Sequence, residues 1–258
     1  MRNEIGQREM RILLLLLLSP LLLDVSNTLA QAPDSKTVAT PVPPVDELHQ
    51  KGSEALFNLD YEAARQLFRE IVRLYPDDPT GPQTLANTLW LETLNKSRLL
   101  QAAIYSSQSF YSKTEDKPDP RVAQEFRDLT RQATQLAKAK LKLNPRDAQA
   151  LYLLGSTETL KATFAATLER RFIAALREGS SGVDRQRDVL RLDPSLHDAE
   201  LAIGMYDYVV GTLPLPVKMV ASLAGARGSK KRGIQTLERV AKEGHWTRDD
   251  ARVLLIGL

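Results

Sequence analysis

The sequence predicts an all-α protein, an α-solenoid of stacked helix hairpins, and three observations carry that prediction. Apolar and small residues recur at three- and four-residue spacing from about Asp46 onward, and no stretch alternates with period two for long. A motif of basic residue, leucine, one further residue and proline occurs as "RLYPDD" at 73–78, "KLNPRD" at 142–147 and "RLDPSL" at 191–196. Each copy lies between two apolar helical patterns, where proline stops one helix and the next begins. Pro76, Pro145 and Pro194 are 69 and then 49 residues apart, close to twice a period of about 34 and to one such period with about four extra helical turns. A period of that length describes a helix hairpin that buries its apolar face on neighbouring hairpins.

The chain opens on "MRNEIGQREMRILLLLLLSPLLLDVSNTLAQ", in which Arg2, Arg8 and Arg11 precede an apolar run from Ile12 to Leu23. That run is short for a membrane span. Thr28 and Ala30 supply small residues at a cleavage site, so residues 1–30 read as a secretory signal peptide cleaved after Ala30. The alternative is an uncleaved anchor, since Glu4 and Glu9 dilute the basic leader. With cleavage the expected location is periplasmic or secreted. With no cysteine in the chain, neither a lipid-modified cysteine nor a disulfide is available, and stability must come from packing. Residues 31–45 hold prolines at 33, 41, 43 and 44 without apolar periodicity and read as an extended linker. The helical repeat domain is expected over 46–258.

In the first unit "DELHQKGSEALFN" and "YEAARQLFREIVRLYP" form the two helices, and their residues resemble a tetratricopeptide repeat (TPR) of the exported bacterial type with degenerate units. Gly52, Tyr61, Ala64, Phe68, Ile71, Leu74 and Pro76 stand where that family has its small residue, turn aromatic, second-helix contacts and closing proline. Small residues at Gly52 and Ala64 let two helices approach, and Phe68 and Ile71 fill the space between hairpins. "ALYLLGST" and "AELAIGMYDY" repeat the first-helix pattern with Leu154 and Gly155, and with Ile203 and Gly204. The second unit departs from it: "GPQTLANTLWLETL" has Asn87 in the small slot, and an extra segment reaches through "SKTEDKPDP". A long helix then follows at about 120–142, with a stripe of Val122, Phe126, Leu129, Ala133, Leu136 and Lys140/Leu141.

In the third unit "REGSSG" reads either as part of a lengthened helix, with Gly182 as its small contact, or as a loop. Beyond the fourth unit's first helix, Pro214 and Pro216 start a short amphipathic helix with Val217, Val220, Leu223 and Ala224 on its apolar side and Lys218 opposite. A glycine-rich basic loop and "IQTLERVAKEG" come next. The final "TRDDARVLLIGL" opens a helix with Thr247 and Asp250 spaced as a capping box. Because it ends inside an apolar helix, the sequence reads as a partial one.

Catalytic signatures are missing. His49, His197 and His245 are isolated, and neither a zinc-binding nor a P-loop spacing occurs. "GSSG" at 179–182 lacks the spacing of a nucleophile elbow. Asp77/Asp78 and Asp249/Asp250 stand at helix starts, where carboxylates cap free N–H groups and oppose the helix dipole. The expectation is therefore a protein that is not an enzyme and holds no cofactor or metal: a scaffold binding a protein, peptide or helix.

TPR resemblance puts first-helix residues on a concave face, which here would expose His49, Gln50, Ser53, Gln149, Tyr152, Ser156, Leu201, Met205 and Tyr208. The competing reading buries Tyr152, Met205 and Tyr208 as core beneath the "LPLPVKMV" helix. A second candidate surface is the basic patch of Lys218, Arg227, Lys230, Lys231 and Arg232, since residues 218–242 carry seven basic residues against Glu238 alone. With the amphipathic stretch it makes segment 214–232 a candidate for peripheral association with an anionic membrane. Nucleic acid is discounted, because the patch has no aromatic stacking platform.

Overall fold

The computed structural model describes residues 42–97, 118–223 and 225–258. The expected leader, most of the linker and the inserted segment as far as Lys117 lie outside those residues. Among the described residues the regular structure is helical. The helices are α1 (Val45–Phe57), α2 (Tyr61–Leu74), α3 (Thr80–Lys96), α4 (Pro120–Leu143), α5 (Ala148–Thr167), α6 (Phe172–Leu192), α7 (Glu200–Thr212), α8 (Leu215–Leu223), α9 (Lys230–Glu243) and α10 (Arg248–Gly257). A 3-10 turn at His197–Ala199 leads into α7. The all-α expectation holds. Helices that follow one another pack on one another from α1 to α7, α9 returns against α7, and α10 packs on α9.

Close approach within the hairpins depends on glycine. A side chain at Gly52 would enter the Phe68 ring, and one at Gly155 would meet the Gln186 amide at 2.8 Å. At Gly204 the neighbour is Leu237, at 3.1 Å. Phe68 and Gln186 each stand eight residues before the proline that follows their hairpin. Ala64, Phe68 and Ile71 are buried with Leu48 in the α1–α2 core. Leu59 closes the turn between α1 and α2 at φ 61°, while the next amide, Asp60 N, donates to the Ala55 carbonyl at 2.9 Å.

The third hairpin settles the "REGSSG" alternative in favour of helix. α6 runs unbroken through 179–182, and Gly182 faces the α5 backbone: a Cβ there would lie 2.9 Å from both Gly155 O and Thr159 N. Gln186, fully buried, donates from Nε2 to the Tyr152 carbonyl and to Ser156 Oγ, each at 3.1 Å. A helix lengthened by two turns thus keeps a polar tie to its partner. Between α3, α4 and α5 the core contains Phe126 and Phe164, stacked at 3.9 Å.

On α4 the buried stripe is Ala123, Phe126, Thr130, Ala133 and Ala137. The expected stripe shares only Phe126 and Ala133 with it, and Val122, Leu129 and Leu136 are half-buried. Small side chains take the inner positions because the neighbouring helices come close. Thr130 hides its hydroxyl by donating to the Phe126 carbonyl at 2.9 Å, as Thr84, Thr88 and Thr157 do four residues back on their own helices.

α8 is also rotated from expectation. Val217 and Ala221 face inward, onto a cluster with Val210, Leu213 and Ala226, whereas Val220 and Leu223 point to solvent. Ala224 lies outside the described residues. α8 is an insertion between α7 and α9, which pair directly across the loop: a Cβ at Gly233 would come within 2.6 Å of Tyr208 N, and one at Gly228 within 2.6 Å of Asp207 O.

Candidate functional site

Trp246 is the centre toward which the first-helix residues of separate hairpins turn. It sits in the α9–α10 connection, within a cluster containing Tyr152, Leu153, Val189 and Ala199. The His49 ring from α1 lies 4.7 Å from the Trp246 ring, and Tyr152 from α5 lies 5.9 Å from it, both tilted. The first hairpin and the last turn therefore meet on one aromatic side chain. Burial holds the His49 imidazole below its ordinary pKa, and His245 adds to that effect, while Asp46 and Asp198 oppose it. Burial, with the charge of Asp198 next, pushes the Tyr152 phenol upward.

Asp198, buried in the 3-10 turn, fixes the tryptophan's backbone. Its Oδ1 accepts from His245 N at 3.0 Å, Thr247 N at 2.8 Å and Thr247 Oγ1 at 2.9 Å. This corrects the capping-box expectation. No side-chain cap comes from Thr247, the N-cap residue, and Asp250 is exposed. A carboxylate 49 residues earlier in the chain takes the N–H of the N-cap residue, the half of the box expected of Asp250. Of the other acidic pair, Asp78 behaves as expected, its Oδ1 accepting from Thr80 N at 2.9 Å at the start of α3. Burial alone would raise the Asp78 pKa, but bonds from Lys140 Nζ, at 2.7 Å, and from Thr80 outweigh it and hold the carboxyl below its usual range.

The nominated face residues divide between surface and interior. Gln50 is exposed, and His49, Ser53, Gln149, Ser156, Leu201 and Met205 are half-buried. Tyr152 and Tyr208 are buried, at 6% and 7% relative exposure. Trp246, rather than the "LPLPVKMV" helix, packs on Tyr152, and the Tyr208 hydroxyl donates to the Leu258 carbonyl at 3.2 Å. Ser156 spends its hydroxyl on Gln186. Trp246, Asp198 and Gln186 escaped the sequence reading. One of only two tryptophans in the chain, two residues after a glycine, was the available signal for the first.

The basic segment divides in the same way. Arg232 forms a two-pronged pair with the buried Asp207, with Nη2 to Oδ1 at 2.7 Å. Lys218 Nζ donates to the Gly211 carbonyl at 3.2 Å, and Lys230 Nζ lies over the Tyr208 ring at 5.5 Å. Arg227 and Lys231 are exposed. Lys230 and Lys231 border a shallow depression with Ile234, Gln235 and Glu238. Gly228 and Gly233 let the loop and α9 approach α7, while Gly225 has open space around it at φ 85°.

Among the described residues no three His, Cys, Asp or Glu side chains group so as to hold a metal ion, and no helix is long and apolar enough to cross a membrane. The fold and its site define a protein of packed helix hairpins with an aromatic junction between its first and last elements. No protein-family model matches the chain, and comparison with curated proteins finds no match.

Proposed function

We propose that the chain is a non-catalytic interaction scaffold of the bacterial cell envelope, a TPR-like solenoid that binds a peptide or helix of another protein on the face formed by the first helices of its hairpins. The observation that carries the reading is the convergence of His49 and Tyr152 on Trp246. Two helices distant in sequence turn equivalent positions toward one space, as stacked repeats do. The glycine contacts at Gly52, Gly155 and Gly204 support the same repeat frame. Gln50, Ser53, Gln149, Leu201 and Met205, all at least partly exposed on the same first helices, offer small polar and apolar contacts, a mixture suited to a peptide. Export by a leader removed after Ala30 is part of the proposal.

Its test is photo-crosslinking from a reactive side chain placed singly at Gln50 or Gln149, in native envelope extract. The expected result is the same partner from both sites, lost when Ser53→Arg and Met205→Arg are added. Different partners from the two sites, no partner, or one retained by the double variant would overturn the reading.

A further inference from the structure

We propose that α8 docks this protein on an anionic lipid bilayer, with its solvent-facing apolar side entering the headgroup boundary. α8 has nine residues and its sides are unlike those of an ordinary surface helix. Val217 and Ala221 face the protein, yet the opposite side carries Leu215, Pro216, Met219, Val220 and Leu223, all exposed. Leu215 is 77% exposed, Met219 69%, Val220 55% and Leu223 91%. At about 100° per residue these five side chains form one continuous arc without a polar member. A helix apolar on both sides is stable in a fold only where something covers its outer side.

Charge identifies the cover. From Thr212 through Leu237 the sequence contains no aspartate or glutamate but has Lys218, Arg227, Lys230, Lys231 and Arg232. Among the described residues, Arg232 alone of these five forms an ion pair, with Asp207. The loop after α8 turns back beside it, with Ala226 N donating to the Ala221 carbonyl at 2.9 Å, and then passes the C-terminal turn of α7, where Lys230 N abuts Gly211. Arg227, next in the chain to Ala226, therefore stands beside an exposed apolar helix, and Lys231, also exposed, follows in the first turn of α9. A short apolar insertion beside unopposed cations is the arrangement that partitions into an anionic interface, where neither term alone suffices. The docking stands independently of the peptide face, because α8 and the Trp246 junction share no residue.

The lack of cysteine in the 258 residues permits a test by single-cysteine labelling of this chain. An environment-sensitive fluorophore is attached to a single Ser222→Cys on α8 and, separately, to Asp184→Cys on the exposed side of α6. Each protein is mixed with vesicles of phosphatidylglycerol or of phosphatidylcholine. The α8 probe is expected to brighten and shift to the blue with phosphatidylglycerol alone, and the α6 probe to stay unchanged, which separates docking by α8 from binding by the leader. Met219→Ser with Leu223→Ser, both at exposed positions, should abolish the change without altering the circular dichroism. Arg227→Glu with Lys231→Glu should weaken partitioning about tenfold or more. A silent α8 probe would overturn the proposal, as would an equal response to phosphatidylcholine. So would a concentration-dependent change without vesicles, which would assign the face to a second copy of the chain.

Discussion

At Gly182 and Gly179, three residues apart on α6, a methyl group should have opposite effects. A Cβ at Gly182 meets the α5 backbone, which cannot rotate away, whereas at Gly179 the nearest atoms are at an ordinary 3.5 Å. Gly182→Ala is expected to cost about 1–3 kcal/mol by overpacking. Gly179→Ala should stabilise by about 0.5–1 kcal/mol through reduced freedom of the unfolded chain. Urea midpoints of the two variants check both signs. His49 gives a second residue-scale prediction. Its folded pKa lies below the ordinary 6.5, so the unfolded chain takes a proton that the folded one resists, and stability falls as pH drops through that value. Between about pH 7.5 and 5.5 the midpoint of the wild type should fall further than that of His49→Gln. Parallel profiles would remove His49 from the acid sensitivity.

Element by element, legibility followed whether the local pattern had competitors. The α1–α2 core of Ala64, Phe68 and Ile71 was readable because large apolar residues at helical spacing leave one choice of inner face. On α4 two stripes fit the same spacing and share Phe126 and Ala133, and close neighbours selected the one with smaller residues. α8 is apolar on all but its Lys218 side, so its sequence holds little information about which face turns inward. The anchor of the turn before α10 was invisible for another reason, since Asp198 reaches His245 and Thr247 through tertiary structure alone. Asp198→Ala should cost about 1–2 kcal/mol and accelerate amide exchange at His245 and Thr247, and Asp198→Asn should recover most of the loss. Unchanged exchange in the alanine variant would show that α10 does not depend on this carboxylate.

At the scale of the whole described fold, α1 and the α9–α10 turn meet through the rings of His49 and Trp246. The ends of three helices were legible from the recurring prolines, but the meeting of α1 with the α9–α10 turn was not, because no sequence spacing encodes which distant helices come together. Trp246→Ala removes a half-buried ring between His49 and Tyr152 and is expected to cost about 2–4 kcal/mol. That loss alone would not prove that the first hairpin is involved. The direct measurement is a double-mutant cycle of His49→Ala and Trp246→Ala, read from urea unfolding near neutral pH. The meeting of the two elements predicts a coupling of about 0.5–1.5 kcal/mol between residues 197 positions apart in the chain. Additivity within about 0.3 kcal/mol would contradict it and, with it, the shared face on which the proposed scaffold function depends.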